Sequence, residues 1–153
     1  MLAIFQKIIA FFMSVLAFFG IGPKPGPAET DIPDFNAGEV LEMQEGYLKL
    51  DGSDLIIALR GNPTTGYDWE HAEQGDSLVF KNKEYKQDAA APNTGGVGGT
   101  FTFTYELAKP GETTLTFTYA RPWETGAEPL ETVIVTVVVS EDLKIGGLTY
   151  VHS

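Results

Sequence analysis

Short apolar runs recur along the chain at intervals of about ten to fifteen residues and are separated by turn residues, which is typical of an all-β protein. In TFTFTYEL (100–107) and TLTFTYA (114–120), threonine alternates with larger apolar side chains. A period of two predicts strands that bury one face and expose the other. The side chains predicted to face the core from these two strands are Phe101, Phe103, Tyr105, Leu115, Phe117 and Tyr119.

The remaining apolar runs predict about five more strands, and no long helical pattern interrupts them. Consecutive strands joined by short turns favour an antiparallel β-sandwich of about seven strands, with a β-barrel as the alternative. A tail at 143–151 predicts a small extra hairpin around Gly146 and Gly147. The other predicted strands lie at 39–50, where the pattern is broken, and at 54–60, 67–71, 78–86 and 130–140.

Three chemically unusual loops are predicted to share one end of this sandwich. Consecutive connections in an antiparallel sandwich alternate between its two ends, so the second, fourth and sixth connections meet. These connections are GNPTTG (61–66), the glycine-rich segment at 87–99 and RPWETGAEP (121–129), whereas other turns, such as KPGE (109–112), are plain. Loops gathered at one end of a rigid scaffold form a binding edge.

The first of these loops, GNPTTG, combines a proline with two adjacent β-branched residues. Pro63 fixes its own φ and pushes Asn62 toward extended backbone, while Thr64 and Thr65 are stiff at χ1. Gly66 permits the positive φ that closes the turn. The loop therefore predicts a narrow, preorganised wedge with two projecting hydroxyl groups, or alternatively an ordinary Asn-Pro turn with solvated threonines.

The other two loops also carry features of binding surfaces. GGVGG (95–99) has almost no side chains, so a partner's backbone could approach it closely, although glycine-rich loops are often merely flexible. Arg121, Pro122 and Trp123 place two residue types that dominate binding hot spots beside a rigid one. From this position, Trp123 could equally cap the core of the sandwich.

The amino-terminal segment differs in composition from the rest of the chain. Residues 1–22 hold one Lys near the start and then an apolar run, which is the layout of a signal peptide or of a membrane anchor. The cleavage site is poor, so both alternatives stay open, and both predict an exported domain. Residues 23–37 are rich in proline and predict an extended linker, which leaves 38–153 as one domain.

Composition and charge narrow the classes of partner. The formal net charge is −11, and because residues 1–22 hold a single Lys and no acid, the rest of the chain carries −12. So acidic a surface argues against nucleic-acid binding, which needs basic patches. The charge serves solubility, or it attracts a basic partner.

The chain contains few residues of the types that form catalytic or metal sites. It contains no Cys and only two His, His71 and His152, without the spacing of a local pair of metal ligands. We therefore expect no disulfide, no zinc site and no other cofactor. An enzyme would need His71 as its base, and the strand order predicts this residue at the end away from the three loops.

Three motifs in order, NPTTGY (62–67), GVGG (96–99) and RPW (121–123), resemble those of the chagasin-type inhibitors of papain-like cysteine peptidases. The resemblance runs over roughly residues 38–140 and includes Trp69 and the strands TFTF and TFTYA. It implies an immunoglobulin-like sandwich whose three loops occlude the active-site cleft of the peptidase reversibly. We expect a monomer that performs no covalent chemistry of its own.

The resemblance also implies a role for each loop. The first loop would form a central wedge at the catalytic Cys and His of the target. The glycine-rich motif would make backbone contacts along the non-primed side of the cleft, and the RPW motif would pack on the primed side. Tyr67 and Trp69 would orient the wedge from within the fold. The peptidase-binding residues implied are Asn62, Pro63, Thr64, Thr65, Gly66, Gly96, Val97, Gly98, Gly99, Arg121, Pro122 and Trp123.

A rival hypothesis is an exported immunoglobulin-like adhesion or structural module without a peptidase target. Such a module predicts no special chemistry in alternate loops, whereas this chain concentrates unusual residues there. The resemblance favours the inhibitor, and inhibition of papain by the purified protein distinguishes the two.

Overall fold

The structure, a computed structural model, describes residues 30–90, 92–93 and 95–153. These residues form ten β-strands and one short 3-10 turn, Pro63–Thr65. The all-β class predicted from the alternating pattern is confirmed. The strands are β1 (Thr30–Ile32), β2 (Val40–Met43), β3 (Gly46–Asp51), β4 (Asp54–Gly61), β5 (Asp68–Gln74), β6 (Leu78–Gln87), β7 (Gly99–Leu107), β8 (Gly111–Ala120), β9 (Glu131–Val139) and β10 (Ile145–His152).

The strands form two five-stranded sheets that pack face to face. The first sheet has the order β1-β10-β9-β8-β5, and the second has the order β2-β3-β4-β7-β6. Every neighbouring pair is antiparallel. The prediction of an antiparallel sandwich is therefore confirmed, and the alternative of a closed barrel is wrong, although the described strands number ten rather than about seven.

The core lies between the sheets and is built from alternate residues of each strand. All six side chains predicted to point inward from the two threonine-rich strands are buried. Phe103 of β7 and Phe117 of β8 meet at its centre, with ring centroids 4.9 Å apart in an edge-to-face arrangement. The intervening threonines stay half-buried on the outer faces of the sheets.

The segment 39–50, predicted as one broken strand, folds as two strands joined by a tight turn. Met43 of β2 pairs with Gly46 of β3 across this turn. A Cβ atom at Gly46 would overlap the carbonyl oxygen of Ala58 on the neighbouring strand β4. Glycine therefore lets β3 begin close against β4, a packing requirement that the apolar pattern does not reveal.

The carboxy-terminal tail is part of the first sheet. The hairpin expected around Gly146 and Gly147 is wrong, because β10 runs through both glycines as one strand. It pairs with β9 on one side and with β1 on the other, and its register shifts between Ile145 and Gly147. The tail thus extends the sheet instead of folding on itself.

The described part of the predicted linker, 23–37, also packs on the sandwich. Thr30–Ile32 is the edge strand β1, and Phe35 is only 3% exposed and belongs to the core. Its apolar side chain is buried despite the surrounding prolines because β10 offers it a partner, Ile145. The predicted signal peptide or anchor, 1–22, lies outside the described residues. Among the residues that are described, no helix is long and apolar enough to cross a membrane.

The three unusual loops meet at one end of the sandwich. They connect β4 to β5, β6 to β7 and β8 to β9. The side chain of Asn62 reaches the second loop at Gly96, and the side chain of Arg121 reaches the first loop at Thr65. This end, made of residues 62–66, 95–98 and 121–123, is called the loop edge below.

Candidate functional site

The first loop of the loop edge is a rigid turn that its own residues close. Asn62 has extended backbone and caps the 3-10 turn, because its Oδ1 accepts a hydrogen bond from the backbone N–H of Thr64 at 3.1 Å. Pro63 occupies the first helical position, where a missing N–H costs nothing. Gly66 ends the turn at φ 86° and donates its N–H to the Pro63 carbonyl at 3.0 Å. The predicted preorganisation of this wedge, residues 62–66, therefore has a physical basis.

The two threonine hydroxyls of the wedge are used within the loop. Thr64 Oγ1 donates to Asn62 Oδ1, and Thr65 Oγ1 donates to the Asn62 carbonyl, both at 2.6 Å. The two hydroxyl groups are therefore not free donors for a partner, because Asn62 accepts the proton of each. Both threonines are nevertheless exposed, so the wedge presents their methyl groups and the remaining lone pairs of their oxygens.

The base of the wedge rests on three stacked aromatic side chains. Tyr119 lies between Tyr67, at 5.2 Å between ring centroids, and Trp69, at 4.9 Å. The Tyr119 hydroxyl accepts the backbone N–H of Asn62 at 2.8 Å, and Trp69 Nε1 donates to the carbonyl of Arg60 at 2.9 Å. Tyr67 and Trp69 thus occupy the supporting positions that the sequence predicted.

Tyr119 is a supporting residue of the loop edge that sequence reasoning missed. The alternating pattern places it correctly in the core, at 6% exposed, but says nothing of what its hydroxyl contacts. A buried tyrosine hydroxyl usually finds a hydrogen-bond partner. Its position at the end of β8, directly before the third loop, was the available signal that this partner would belong to the loop edge.

The second loop is tied to the wedge through Gly96. Asn62 Nδ2 donates to the Gly96 carbonyl at 2.7 Å, so the side chain of Asn62 both caps the wedge and bridges two loops. Gly96 has a φ of 72°, a conformation that other residues adopt only with strain. This bridge makes the glycine-rich loop a neighbour of the wedge, as the alternation of loop ends predicted.

The carbonyls beyond Gly96 are also engaged within the protein. The Val97 carbonyl accepts from Gln87 Nε2 at 3.3 Å, and the Gly98 carbonyl accepts from the backbone N–H of Asp88 at 3.0 Å. Within the described part of the chain, the N–H groups of residues 96–98 find no acceptor. The loop therefore offers a partner mainly hydrogen-bond donors.

Gly99 lies inside the fold, although the motif implied that it would contact the peptidase. It is buried at the start of β7, between Gly61 of β4 and Gln87 of β6. A Cβ atom there would overlap the carbonyl oxygen of Lys86 and would lie 2.7 Å from the hydroxyl of Tyr85. Glycine at this position is therefore explained by strand packing, and its burial argues against the backbone contact with a peptidase that the motif implied.

The third loop is joined to the wedge by Arg121. Its Nε donates to the Thr65 carbonyl at 3.3 Å, and its guanidinium carbon lies 4.6 Å from the centre of the Tyr67 ring. One terminal nitrogen of the same group pairs with Glu124 at 3.1 Å. Arg121 thus serves partly as a brace within the loop edge, in contact with wedge, aromatic base and third loop at once.

Trp123 is an exposed residue and does not cap the core. Trp123 is 66% exposed to solvent, and Pro122 beside it is also exposed. The indole lies so close over Gly66 that a Cβ atom there would approach the ring carbon Cζ2 to 2.8 Å. Gly66 is therefore required twice, once for its positive φ and once for the approach of Trp123.

Three acidic groups around the loop edge are paired with cations although the protein as a whole is acidic. Such pairs at a surface contribute little to stability, but each one offsets a negative charge locally. The pairs are Arg60–Asp88 at 2.6 Å, Lys83–Asp68 at 2.9 Å and Arg121–Glu124 at 3.1 Å.

His71 lies at the middle of β5, not at the end away from the loops as predicted. Its Nδ1 is 2.9 Å from the hydroxyl of Tyr105, and its ring packs on Phe80 with centroids 4.4 Å apart. Burial, helped by the charge of Glu73, raises the pKa of Tyr105, so this hydroxyl keeps its proton. His71 is accordingly a partner of the core aromatics and is separate from the loop edge.

Comparisons with known proteins agree with this geometry. The family model described as "Chagasin family peptidase inhibitor I42" matches residues 50–137, a range that contains all three loops of the edge. Amoebiasin-2 of Entamoeba histolytica is 36% identical over 96 residues, which cover 60% of this chain and 76% of that protein. Amoebiasin-1 of the same organism is 36% identical over 78 residues, which cover 50% and 72%. A crystal structure of the cysteine protease inhibitor EhICP2 from Entamoeba histolytica superposes with a TM-score of 0.51 and 32% identity, covering 56% of this chain and 77% of that one.

Proposed function

The chain belongs to the chagasin family of peptidase inhibitors, and on that premise we propose that it blocks the active-site cleft of papain-like cysteine peptidases with its loop edge. The family match accounts for the inhibitor function and does not favour an adhesion module without a peptidase target. The role needs no catalytic group on this chain.

One observation carries the proposed mechanism, namely that the three loops form a single connected surface. The bond from Asn62 Nδ2 to the Gly96 carbonyl joins the first loop to the second. The bond from Arg121 Nε to the Thr65 carbonyl joins the first loop to the third. Because these contacts exist before any partner arrives, docking costs little additional conformational entropy.

The wedge suits a cleft that normally binds an extended peptide, because the backbone of the wedge does not have the extended shape in which a substrate is cleaved. Pro63–Thr65 is a 3-10 turn, and the N–H groups of Thr65 and Gly66 bond to the carbonyls of Asn62 and Pro63 at 3.1 and 3.0 Å. An extended substrate leaves its backbone N–H and carbonyl groups free to bond with the enzyme. In this turn, by contrast, such groups form hydrogen bonds with one another. The wedge would therefore occupy the catalytic centre without offering a bond in cleavable geometry.

The two outer loops would hold the wedge in place on either side. The donors of residues 96–98 match the backbone carbonyls that a cleft uses to bind an extended chain. Trp123 presents a large, exposed aromatic surface, the residue type in which binding energy often concentrates. This arrangement supports peptidase contacts for all of the motif residues except the buried Gly99.

The direct test is inhibition of papain by the purified protein combined with protection of its active-site thiol. We expect activity on a small peptide substrate to fall with micromolar or lower inhibitor, and alkylation of the papain thiol by iodoacetamide to slow in parallel. Dilution should restore activity, since the contacts are non-covalent. Correctly folded protein that leaves both rates unchanged would refute the proposal, and inhibition without thiol protection would place the binding outside the cleft.

A second prediction concerns Tyr119, which anchors the wedge from below. Tyr119→Phe keeps the aromatic stack but leaves the Asn62 N–H without its acceptor, so stability should fall by about 1 kcal/mol. Because the wedge loses its anchor, papain inhibition should weaken about fivefold. Inhibition constants and thermal melts measure the two effects separately.

Tyr105→Phe is the matched control for this prediction. It removes a buried tyrosine hydroxyl bonded to His71, far from the loop edge, so it should lower the melting temperature without changing the inhibition constant. If both variants weaken inhibition equally, the effect comes from general stability and the anchoring role of Tyr119 is wrong.

The amino-terminal segment supports a further part of the proposal, that the inhibitor acts outside the cytoplasm. Residues 1–22 have the layout of a signal peptide or an anchor, and the proline-rich stretch after them would separate the domain from a membrane. Amino-terminal sequencing of the exported protein distinguishes cleavage from anchoring. Recovery of the intact chain in the cytoplasmic fraction alone would contradict export.

A further inference from the structure

A second group of polar side chains lies at the same end of the sandwich as the loop edge but outside it. Glu131 is the first residue of β9, directly after the third loop, and His152 is the last residue of the adjacent strand β10. Glu45 comes from the turn before β3 in the opposite sheet, next to the end of β4. The three side chains therefore meet across the gap between the two sheets.

The geometry of this group is that of a set of metal ligands. One ligand atom from each of Glu45, Glu131 and His152 lies within 4.8 Å of the other two. His152 Nε2 and Glu131 Oε2 are 3.5 Å apart. Two ligands bound to one zinc ion at about 2.0–2.2 Å in tetrahedral geometry lie roughly 3.4 Å apart, so this pair already has the required separation.

A separate observation shows that two of these atoms lack the partner that burial demands. Glu131 Oε2 and His152 Nε2 are each enclosed by protein, and apart from their mutual contact at 3.5 Å, which is longer than an ordinary hydrogen bond, neither finds a polar partner among the described residues. The side chains as a whole remain 25% and 20% exposed, which leaves a path for a small ion. Buried polar atoms without partners are uncommon in folded proteins and call for an explanation.

The charges of the group also favour a cation. Within the described residues, no Lys or Arg forms an ion pair with Glu45 or Glu131, so two carboxylates share only the imidazole of His152. Two carboxylates held close together without a fixed positive charge repel each other, and a bound cation relieves this repulsion.

We propose that Glu45, Glu131 and His152 bind one divalent transition-metal ion of the zinc class, with water completing its coordination. One imidazole nitrogen and two carboxylate oxygens are ligands that suit Zn²⁺, whereas Mg²⁺ and Ca²⁺ prefer oxygen alone. The spacing rule that argued against zinc considers ligands close in sequence. These three lie on three separate segments and are brought together only by the pairing of β9 with β10 and the packing of the sheets.

The ion would clamp the two sheets behind the third loop. Glu131 follows Leu130, whose N–H bonds to the Tyr119 carbonyl at 2.8 Å, and Tyr119 carries the wedge. A metal between Glu131 and Glu45 would therefore join the base of the loop edge to the second sheet. This role is structural and is independent of whether a peptidase is the target.

The test uses the full-length protein in a non-ionic detergent, because of its apolar first segment, with any affinity tag removed and metals stripped by a chelator. Titration calorimetry with ZnCl₂ should show one bound ion per chain, and Zn²⁺ should raise the melting temperature because it binds only the folded state. MgCl₂ at the same concentration should do neither. The assay requires no peptidase, so its outcome is separate from that of the inhibition test.

Variants identify the ligands. Glu131→Gln and His152→Ala should each weaken Zn²⁺ binding by at least about tenfold and abolish the thermal shift. Glu73→Gln is the matched control, because Glu73 also faces a histidine, His71, at 3.6 Å but without a third ligand, and it should bind Zn²⁺ unchanged. Absence of saturable Zn²⁺ binding by the folded protein, or binding that survives both ligand variants, would overturn the site.

Discussion

Replacing Trp123 with alanine should weaken inhibition of papain about 30-fold, an effect of about 2 kcal/mol, while the domain stays folded. The residue is 66% exposed at the loop edge and fills no space in the core, so its removal leaves no cavity. Its ring surface is therefore free to contact a peptidase, and truncation would remove the contact that the proposed mechanism assigns to it. The inhibition constant measures the loss, and thermal melting checks the fold.

Val79→Ala serves as the control for Trp123→Ala. Val79 is also an exposed apolar residue, at 50%, but it lies near the start of β6, at the opposite end of the sandwich from the loop edge. Its truncation should leave inhibition unchanged. A lower melting temperature for Trp123→Ala, with full affinity in the folded fraction, would show instead that the indole serves the fold.

Gly66→Ala should weaken inhibition about 20-fold, nearly as much as the loss of Trp123. Alanine at position 66 must adopt a φ of 86°, which costs an L-residue about 1–2 kcal/mol. It also overlaps the indole that lies over Gly66, so Trp123 must leave its position. The substitution thus disturbs the wedge and the third loop together, and inhibition kinetics with papain measure the result.

Gly126→Ala distinguishes backbone strain from the collision with Trp123 as the cause of the weaker inhibition. Gly126 lies in the third loop with a φ of 81°, but an added Cβ there meets no atom within 4 Å. We expect a comparable loss of stability and no loss of inhibition. Equal weakening of inhibition by both variants would mean that backbone strain, and not the collision with Trp123, is responsible.

Much of the fold was predictable because apolar and polar side chains that alternate with a period of two fit a strand with one buried face. Phe101, Phe103 and Tyr105 had to share a face, and a chain of such strands with short turns had to form antiparallel sheets. The same regularity placed the three unusual loops at one end. The parts that failed depend on particular contacts, since Phe35 is buried because β10 lies beside it, and glycine is required at position 46 because the backbone of Ala58 is close.

The candidate site also has a part that the sequence motifs predicted and a part that depends on contacts between distant segments. The motifs identified the wedge, the glycine-rich loop and Trp123, and the structure brings all three together at the loop edge. The motifs could not show that Asn62 captures the threonine hydroxyls or that Gly99 is enclosed between strands. Hydrogen bonds between distant segments depend on positions in space, which local patterns do not contain.

The sequence by itself determined the class of fold, the family and which three loops form the loop edge, because side-chain periodicity and short motifs are local properties. Only the tertiary structure decided that Tyr119 supports the wedge, that Arg121 braces it and that Glu45, Glu131 and His152 meet between the sheets. The physical reason is that each of these contacts joins segments far apart in the chain. Such segments become neighbours only when the strands pair and the two sheets pack on each other.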